Sequence, residues 1–226
     1  MDITRRRFCK LTAGTISNII LTSTVNAAIN DRTKNLFNQL VFENFKQYKS
    51  MNWIQNSIDH TANYGTHFLN AGNQHYFSEF YLAGICLKET MGNPYLYSHK
   101  GAIGLMQIMP KTARAMGFTP KEITCRKNQG TNDQRISIQK NINCAATYLS
   151  YVRTKIVNSY PLKDRVELSH LIIGSYFTGT GGIQGLIQQY HQFYDIPSTS
   201  PTYQYVVRVN ALTKLVEENR NSFGFK

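Results

Sequence analysis

Several features that define other protein classes are scarce in this chain. Its 226 residues contain few segments in which apolar and polar residues alternate, and they contain no internal repeat. No cysteines or histidines have the spacing of a zinc site, and no apolar run is long enough to span a bilayer. The sequence therefore does not indicate a β-sheet protein, a repeat protein, a zinc protein or an integral membrane protein.

Acidic residues are also few. The chain has 13 Asp and Glu against 25 Lys and Arg, which gives a formal net charge of +12. A surplus of this size favours an anionic partner, and nucleic acid, a membrane surface and an acidic cell-wall polymer all satisfy it. Since no helix-turn-helix, zinc or RNA-binding signature is present, we do not expect nucleic acid to be the partner.

The first 27 residues resemble an export signal. A basic segment with Arg5, Arg6 and Arg7 precedes a weakly apolar stretch, and Ala27 ends a small-residue cleavage site. The Thr-Arg-Arg-x-Phe-x-Lys pattern favours the twin-arginine route, and an ordinary arginine-rich secretory signal is the alternative. Both interpretations predict an exported protein in the periplasm or cell envelope. Residues 28–75 are then a helical extension of unknown role.

The four cysteines support one structural expectation. Cys9 belongs to the predicted signal, and Cys86 lies in an apolar run that favours a buried free thiol. Cys125 and Cys144 flank a polar stretch, and in an oxidising compartment we expect a disulfide between them to close that loop. Two unpaired thiols are the alternative.

Helical periodicity dominates the chain and predicts an all-α fold. Proline at first helical positions and glycine after last ones mark several boundaries. The expected helices cover residues 31–49, 53–69, 76–91, 110–116, 134–157, 164–178, 185–194 and 202–221, with a short irregular or β segment at 101–109.

Glu89 is the only acidic residue between Phe80 and Lys121, and it ends an apolar run before the chain breaks at Gly92 and Pro94. Burial among apolar side chains raises the pKa of a carboxyl, and the negative end of a helix dipole raises it further. Such a carboxyl donates a proton near neutral pH, which is the first requirement for cleaving a glycosidic bond.

An ordinary glycosidase places two carboxyl groups across the scissile bond. The candidates for a second carboxyl lie elsewhere and in no motif: Glu122, Asp133, Asp164, Glu167 and Asp195. A mechanism in which one carboxyl acts first as an acid and then as a base fits the sequence better.

The segment around Glu89 resembles the soluble lytic transglycosylases, lysozyme-like enzymes that cut peptidoglycan. It keeps the family's pattern in order and at its spacing, with Thr90 where the family usually has Ser. The matching elements are Glu89-Thr90, Asn93-Pro94, Ser98, Gly104-Leu-Met-Gln107 and Pro110-Lys-Thr-Ala113.

Weaker motifs extend the resemblance over residues 76–215, and each departs from the family at one position. Ala145 replaces Gly in a helix motif, Phe177 replaces Asn in an Ala-Tyr-Asn-x-Gly motif, and Pro201 replaces Glu before Thr202-Tyr-Gln-Tyr205-Val. The departures fall on groups that help to bind sugar in the family.

The resemblance implies a peptidoglycan lytic transglycosylase with one lysozyme-like domain over residues 76–226, no cofactor and no metal. In the family one glutamate, here Glu89, protonates the bond between MurNAc and GlcNAc. It then acts as a base on the sugar's own 6-hydroxyl, which closes a 1,6-anhydro ring.

The resemblance also implies substrate-binding roles by position. Ser98 matches a serine near the N-acetyl group, Gln107 and Met109 match residues that line the sugar groove, and Tyr176 matches a tyrosine whose hydroxyl reaches toward the glutamate.

Two other functions are alternatives: a lysozyme-type peptidoglycan hydrolase and a non-catalytic wall-binding scaffold protein. Peptidoglycan glycan strands are the expected partner. Because the domain is small and has no extra wall-binding repeat, we hypothesise an envelope-spanning secretion or conjugation machine as a second partner. No integral membrane segment is expected after processing.

Overall fold

The computed structural model describes residues 13–119, 133–160 and 164–225, with side chains described from residue 31 onward. Helices account for nearly all of the regular structure, and no strand occurs within these ranges. The helices are α1 Ala13–Lys49, α2 Ile54–Ala62, α3 Gly65–His75, α4 Glu79–Thr90, α5 Pro110–Ala115, α6 Ile138–Ser159, α7 Arg165–Tyr190, α8 Pro201–Glu218 and α9 Arg220–Phe223. The all-α prediction is confirmed.

Helix α4 lies at the centre of the fold and packs against α8, α3 and α2. Every side chain from Leu82 to Leu87 is buried, as its apolar sequence predicts. Gly84 permits the close approach of α8, because a Cβ at this position would collide with Thr213. Each fully buried Leu or Ile contributes about 2 kcal/mol to folding, so α4 is a principal source of stability.

The second half of α1 packs on α8 through the buried side chains Phe37 and Val41. The helix predicted at residues 31–49 is thus confirmed, although α1 begins earlier, at Ala13, and runs through the predicted cleavage site. Two ion pairs, Lys34 with Asp164 and Lys49 with Glu218, accompany this packing. Export and cleavage remain predictions.

The helix predicted at residues 53–69 is in fact two helices, α2 and α3, which meet at Asn63 and Tyr64. Gly65 begins α3 instead of ending a helix. A Cβ at Gly65 would collide with the backbone carbonyl of Phe223, so glycine here allows α3 to approach the C-terminal segment.

The break predicted between the helices at residues 164–178 and 185–194 is present, but only one residue, Gly179, departs from helical geometry. Gly179 has φ 77° and ψ 165°, and helical structure resumes directly after it and continues to Tyr190. The helix predicted at residues 185–194 therefore starts earlier and ends earlier, and Phe193–Asp195 form a separate 3-10 turn.

Two predicted helices begin later than expected. Tyr76 has φ 52°, which ends α3, so α4 starts at Glu79. A turn at residues 133–137 precedes α6, which starts at Ile138. The predicted last helix is divided into α8 and α9. The segment at 101–109 contains isolated antiparallel bridges that pair Ile103 with Tyr97 and with Ile108, as expected for a short β segment.

The disulfide expected between Cys125 and Cys144 is wrong, because Cys144 is a free thiol. This residue is 1% exposed and faces the core from α6, instead of facing the polar stretch before that helix. Burial raises its pKa to about 12. Cys125 lies outside the described residues. Cys86 is a buried free thiol, as predicted.

Two kinds of feature are absent from the described ranges. None of the helices there has an apolar stretch that would cross a membrane. No cluster of three or more His, Cys, Asp or Glu side chains in the same ranges is arranged to hold a metal ion.

Candidate active site

Glu89 occupies the last turn of α4, where the helix ends at Met91 in the left-handed conformation. Its carboxyl is partly buried, and Oε1 accepts a 2.6 Å hydrogen bond from the hydroxyl of Tyr205. Burial raises the pKa of Glu89, and this effect exceeds the opposing effects of the Tyr205 hydrogen bond and the charge of Lys88. The structure therefore places Glu89 in the environment expected of a proton donor.

Tyr205 was not among the predicted site residues. It projects from α8, is 4% exposed, and has a pKa well above its usual range, first because of burial and then because of the charge on Glu89. It consequently stays protonated and serves as a permanent donor to the carboxyl. The Thr202-Tyr-Gln-Tyr205-Val motif was the one signal that pointed to it.

The hydroxyl of Thr90 joins the end of α4 to the following loop. It donates to the carbonyl of Leu105 at 2.9 Å and to that of Cys86 at 3.2 Å. A hydroxyl is therefore needed beside Glu89, and threonine supplies the same donor as the serine of the resembled family.

Asn141 of α6 anchors the loop at residues 101–109 through its side chain. Its side-chain amide donates to Ile103 at 2.9 Å and to the carbonyl of Arg135 at 2.8 Å, and its oxygen accepts from the Met106 amide at 2.8 Å. Gly104, with φ 79°, lies directly against it, because a Cβ would come within 2.6 Å of Asn141 Nδ2. This contact explains the glycine of the Gly-Leu-Met-Gln motif.

A buried ion pair supports the other side of the loop. Arg135 pairs with Asp133 at 2.8 Å and donates to the carbonyls of Gly101 at 2.8 Å and Ile108 at 3.1 Å. Removing one partner of such a pair costs about 3–5 kcal/mol, since the other charge stays buried. The role of Arg135 was missed, because an arginine at the start of the helix predicted over residues 134–157 gives no local sign of burial.

Ser98 lies in the turn that opens the loop. Its hydroxyl oxygen accepts from the Ala102 amide at 2.9 Å, and its backbone amide donates to the Ala102 carbonyl at 3.0 Å. The side chain is partly buried, and its hydroxyl hydrogen is not used in these contacts. Ser98 thus closes the turn, and its hydroxyl hydrogen remains able to donate to a ligand.

Gln107 and Met109 line a groove together with Tyr176 and Phe177. Gln107 has φ 47°, and its Nε2 donates to the carbonyls of Leu96 and Gly104, both at 3.0 Å. These bonds fix the amide while leaving its oxygen available. Met109 is partly exposed at the start of α5.

Tyr176 lies in α7 and lines the groove, but its hydroxyl donates to the carbonyl of Met106 at 2.6 Å. Burial and then the charge of Glu89 hold the pKa of Tyr176 well above its usual range. The direct hydrogen bond to Glu89 comes from Tyr205 instead.

The groove has a volume of about 230 Å³ where Gln107, Met109, Tyr176 and Phe177 line it. A second cavity of about 500 Å³, lined by Lys111 among others, shares three of its wall residues: Thr112, Tyr148 and Gly179. The two cavities are therefore adjacent, beside α5, α6 and the break in α7.

Of the candidates for a second carboxyl, three of the four described ones are engaged elsewhere. Asp133 pairs with Arg135, Asp164 with Lys34, and Glu167 accepts from the Phe193 amide at 2.7 Å. Asp195 lies in the 3-10 turn after α7, and Glu122 lies outside the described residues. Within the described part of the chain, Lys88 is the only charged side chain that shifts the pKa of Glu89.

Comparison with known proteins gives consistent matches. Residues 66–196 match the family model of the transglycosylase SLT domain. The chain is 29% identical over 150 residues to membrane-bound lytic murein transglycosylase E of Buchnera aphidicola, which covers 65% of this chain and 64% of that protein. It is 31% identical over 103 residues to membrane-bound lytic murein transglycosylase C of Haemophilus ducreyi, covering 44% of this chain and 26% of that protein.

Two solved structures share the fold. The 70 kDa soluble lytic transglycosylase of Escherichia coli matches with a TM-score of 0.53 and 23% identity, over 72% of this chain and 26% of that one. An inactive mutant of the lytic transglycosylase Slt from Pseudomonas aeruginosa matches with a TM-score of 0.51 and 20% identity, over 70% and 24%. The chain thus spans less than two thirds of the length of these relatives.

Proposed function

Because the chain belongs to the transglycosylase SLT domain family, we propose that it is a peptidoglycan lytic transglycosylase. It cleaves the β-1,4 bond between MurNAc and GlcNAc and leaves a 1,6-anhydroMurNAc end. The observation that carries the proposal is the partly buried Glu89, with its raised pKa and its 2.6 Å hydrogen bond from Tyr205.

Glu89 performs both proton transfers. In its neutral form it protonates the glycosidic oxygen, and the bond to C1 of MurNAc breaks as positive charge develops on that sugar. The resulting carboxylate then takes the proton of the MurNAc 6-hydroxyl, whose oxygen bonds to C1. The proton that Glu89 lost is thereby restored, and no water is consumed.

Tyr205 stabilises the carboxylate between these two steps. Its hydrogen bond is short and its acceptor is charged, and such bonds are about twice as strong as neutral ones. Burial raises the pKa of Glu89, while Tyr205 limits the rise. Their balance keeps the carboxyl able both to give and to retrieve a proton.

The groove binds the glycan strand through Ser98, Gln107, Met109 and Tyr176. It is linked to Glu89 through Tyr205, since Phe177 lines the groove and stacks on Tyr205, which donates to Glu89. The adjoining 500 Å³ cavity gives room for more of the strand on the side of Lys111. The formal net charge of +12 favours attraction to the acidic groups of the wall.

Location and assembly are parts of the same proposal. Residues 1–27 direct export to the periplasm or cell envelope, 28–75 form a helical extension, and 76–226 form the catalytic domain. Service to a secretion or conjugation machine is a further hypothesis, and gene neighbourhood tests it: a locus remote from any such system would contradict it.

The test is digestion of purified sacculi followed by mass spectrometry of the released muropeptides. We expect anhydro-muropeptides from the wild type and a greatly reduced release from Glu89→Gln. Glu79→Gln, at the opposite end of α4, is the matched control and should behave as the wild type. Reducing ends would indicate a hydrolase, and binding to sacculi without release would indicate a scaffold protein.

A further inference from the structure

One wall of the groove is aromatic where the family's motif has asparagine. Phe177 follows Tyr176 on α7, two residues before the break at Gly179, and it is 52% exposed. An exposed phenylalanine gains little from burial, so its own contribution to folding stability is small. Its position beside Tyr205, the hydrogen-bond donor to the candidate acid, points to a different use.

The Phe177 ring packs on the ring of Tyr205. The ring centroids are 5.1 Å apart and the ring planes differ by 22°, which is a stacked arrangement. Aromatic pairs of this kind contribute about 0.5–1.5 kcal/mol beyond the area that they bury. The contact therefore fixes the plane of the Tyr205 ring from the groove side.

The orientation of Tyr205 decides whether its hydroxyl reaches Glu89. The phenol oxygen lies 2.6 Å from Oε1, and Lys88 Nζ lies 5.5 Å from the centroid of the same ring. A hydrogen bond this short weakens steeply when the donor turns away. A side chain that restrains the ring therefore restrains the hydrogen bond.

We propose that Phe177 is a positioning residue, which holds the Tyr205 ring so that its hydroxyl donates to Glu89. The stacking of Phe177 thus replaces, at this position, the polar side chain of the family's motif. Its consequence for catalysis rests on the proposed function, but the contact itself is tested without any substrate.

The experiment is a double-mutant cycle in which the measured quantity is the pKa of Glu89. The titration is monitored by carbon NMR of isotope-labelled protein. The Glu89 signal is identified by its loss in Glu89→Gln. Tyr205→Phe removes the donor to the carboxylate, and we expect it to raise the pKa of Glu89 by about 1. In a Phe177→Ala background the same substitution should raise it by less than half as much.

Three backgrounds make the result specific. Phe177→Tyr keeps a stacking ring and should retain the full effect of Tyr205→Phe. Phe177→Leu keeps apolar volume without a ring and should reduce it. Phe42→Ala is the matched control, because Phe42 is 49% exposed and also stacks on another ring, Phe45, but lies on α1; it should leave the effect intact.

An equal change in the pKa of Glu89 in the wild-type and Phe177→Ala backgrounds would overturn the proposal. This outcome is distinct from failure of the proposed function, which would appear as absence of anhydro-muropeptides from sacculi. The titration yields its answer whether or not the protein releases muropeptides.

Discussion

Two glutamates of this protein share several properties and differ in what surrounds them. Burial raises the pKa of both Glu89 and Glu167, and each accepts one short hydrogen bond. Glu89 receives its bond from a tyrosine hydroxyl, whereas Glu167 receives its bond from the backbone amide of Phe193. A buried carboxyl with a raised pKa is therefore not sufficient to mark an active site.

The two glutamates lie at opposite helix ends. Glu89 is in the last turn of α4, where the helix dipole disfavours negative charge, and Glu167 is in the first turn of α7, where the dipole favours it. Glu89 is linked to the groove through Tyr205 and Phe177, while Glu167 is 8% exposed and is bonded to the 3-10 turn that packs on α1. The first arrangement suits proton transfer, and the second secures a turn.

The largest expected difference is in activity. Glu89→Gln should lower the rate of muropeptide release by about 10²–10⁴-fold, because general acid–base catalysis by one side chain contributes this much. Glu167→Gln should keep a rate close to that of the wild type, since the amide oxygen still accepts from Phe193. Initial rates on sacculi measure both. Similar losses for the two variants would contradict the distinction.

The next difference is a pH dependence of stability near Glu167. His170 is 3% exposed, and burial lowers its pKa to about 4. The unfolded chain therefore binds more protons between pH 6.5 and about 4, so stability is complete above pH 6.5 and falls as the pH falls through this window. The loss should reach about 3 kcal/mol.

Urea unfolding of the wild type and His170→Gln at pH 7 and pH 5 isolates this effect. Glu167 and Asp195, whose raised pKa values act in the opposite direction, and the pair Lys34–Asp164 face the same region and are common to both proteins. The wild type should lose more stability on acidification than the variant. Equal losses would show that His170 is not buried in its neutral form.

A smaller effect is expected from removing the structural glutamate. Glu167→Ala leaves the buried amide of Phe193 without its acceptor and should lower the free energy of unfolding by about 1–3 kcal/mol. The rate per folded molecule should stay unchanged at 25 °C. Denaturant unfolding combined with the sacculus assay separates stability from rate, and a lowered rate at full folding would tie Glu167 to catalysis.

The smallest effect concerns the surface pair near Glu167. Lys34 and Asp164 lie 2.9 Å apart, but both side chains are more than a third exposed. Lys34→Met should therefore lower stability by less than about 1 kcal/mol, and salt should lessen the loss further. Thermal unfolding at low and high salt measures it. A loss of several kcal/mol would mean that the pair fixes α1.

The sequence was most informative where local pattern sets local structure. The apolar run before Glu89 correctly predicted a central buried helix, and Pro110 correctly predicted the start of α5. Tyr205 lies 116 residues from Glu89, so its role as donor depends on the packing of α8 on α4. No local pattern contains that information.

Polar stretches were the least reliable guide. Arg135 lies at the start of the helix predicted over residues 134–157, where arginine is ordinarily solvated, yet its guanidinium is buried and donates to two carbonyls of the loop. The position of Cys144 after a polar stretch suggested a disulfide, whereas the face of α6 on which it lies points to the core. In both cases orientation around a helix or turn decided the outcome.

Digestion of sacculi in oxygen-18 water tests the single-carboxyl mechanism of Glu89 most directly. Because the sugar's own 6-hydroxyl closes the ring, the released muropeptides should carry 1,6-anhydro ends and no oxygen-18. Oxygen-18 at new reducing ends would show that water attacks the sugar, and it would contradict the assignment of Glu89 as both acid and base to the substrate's hydroxyl.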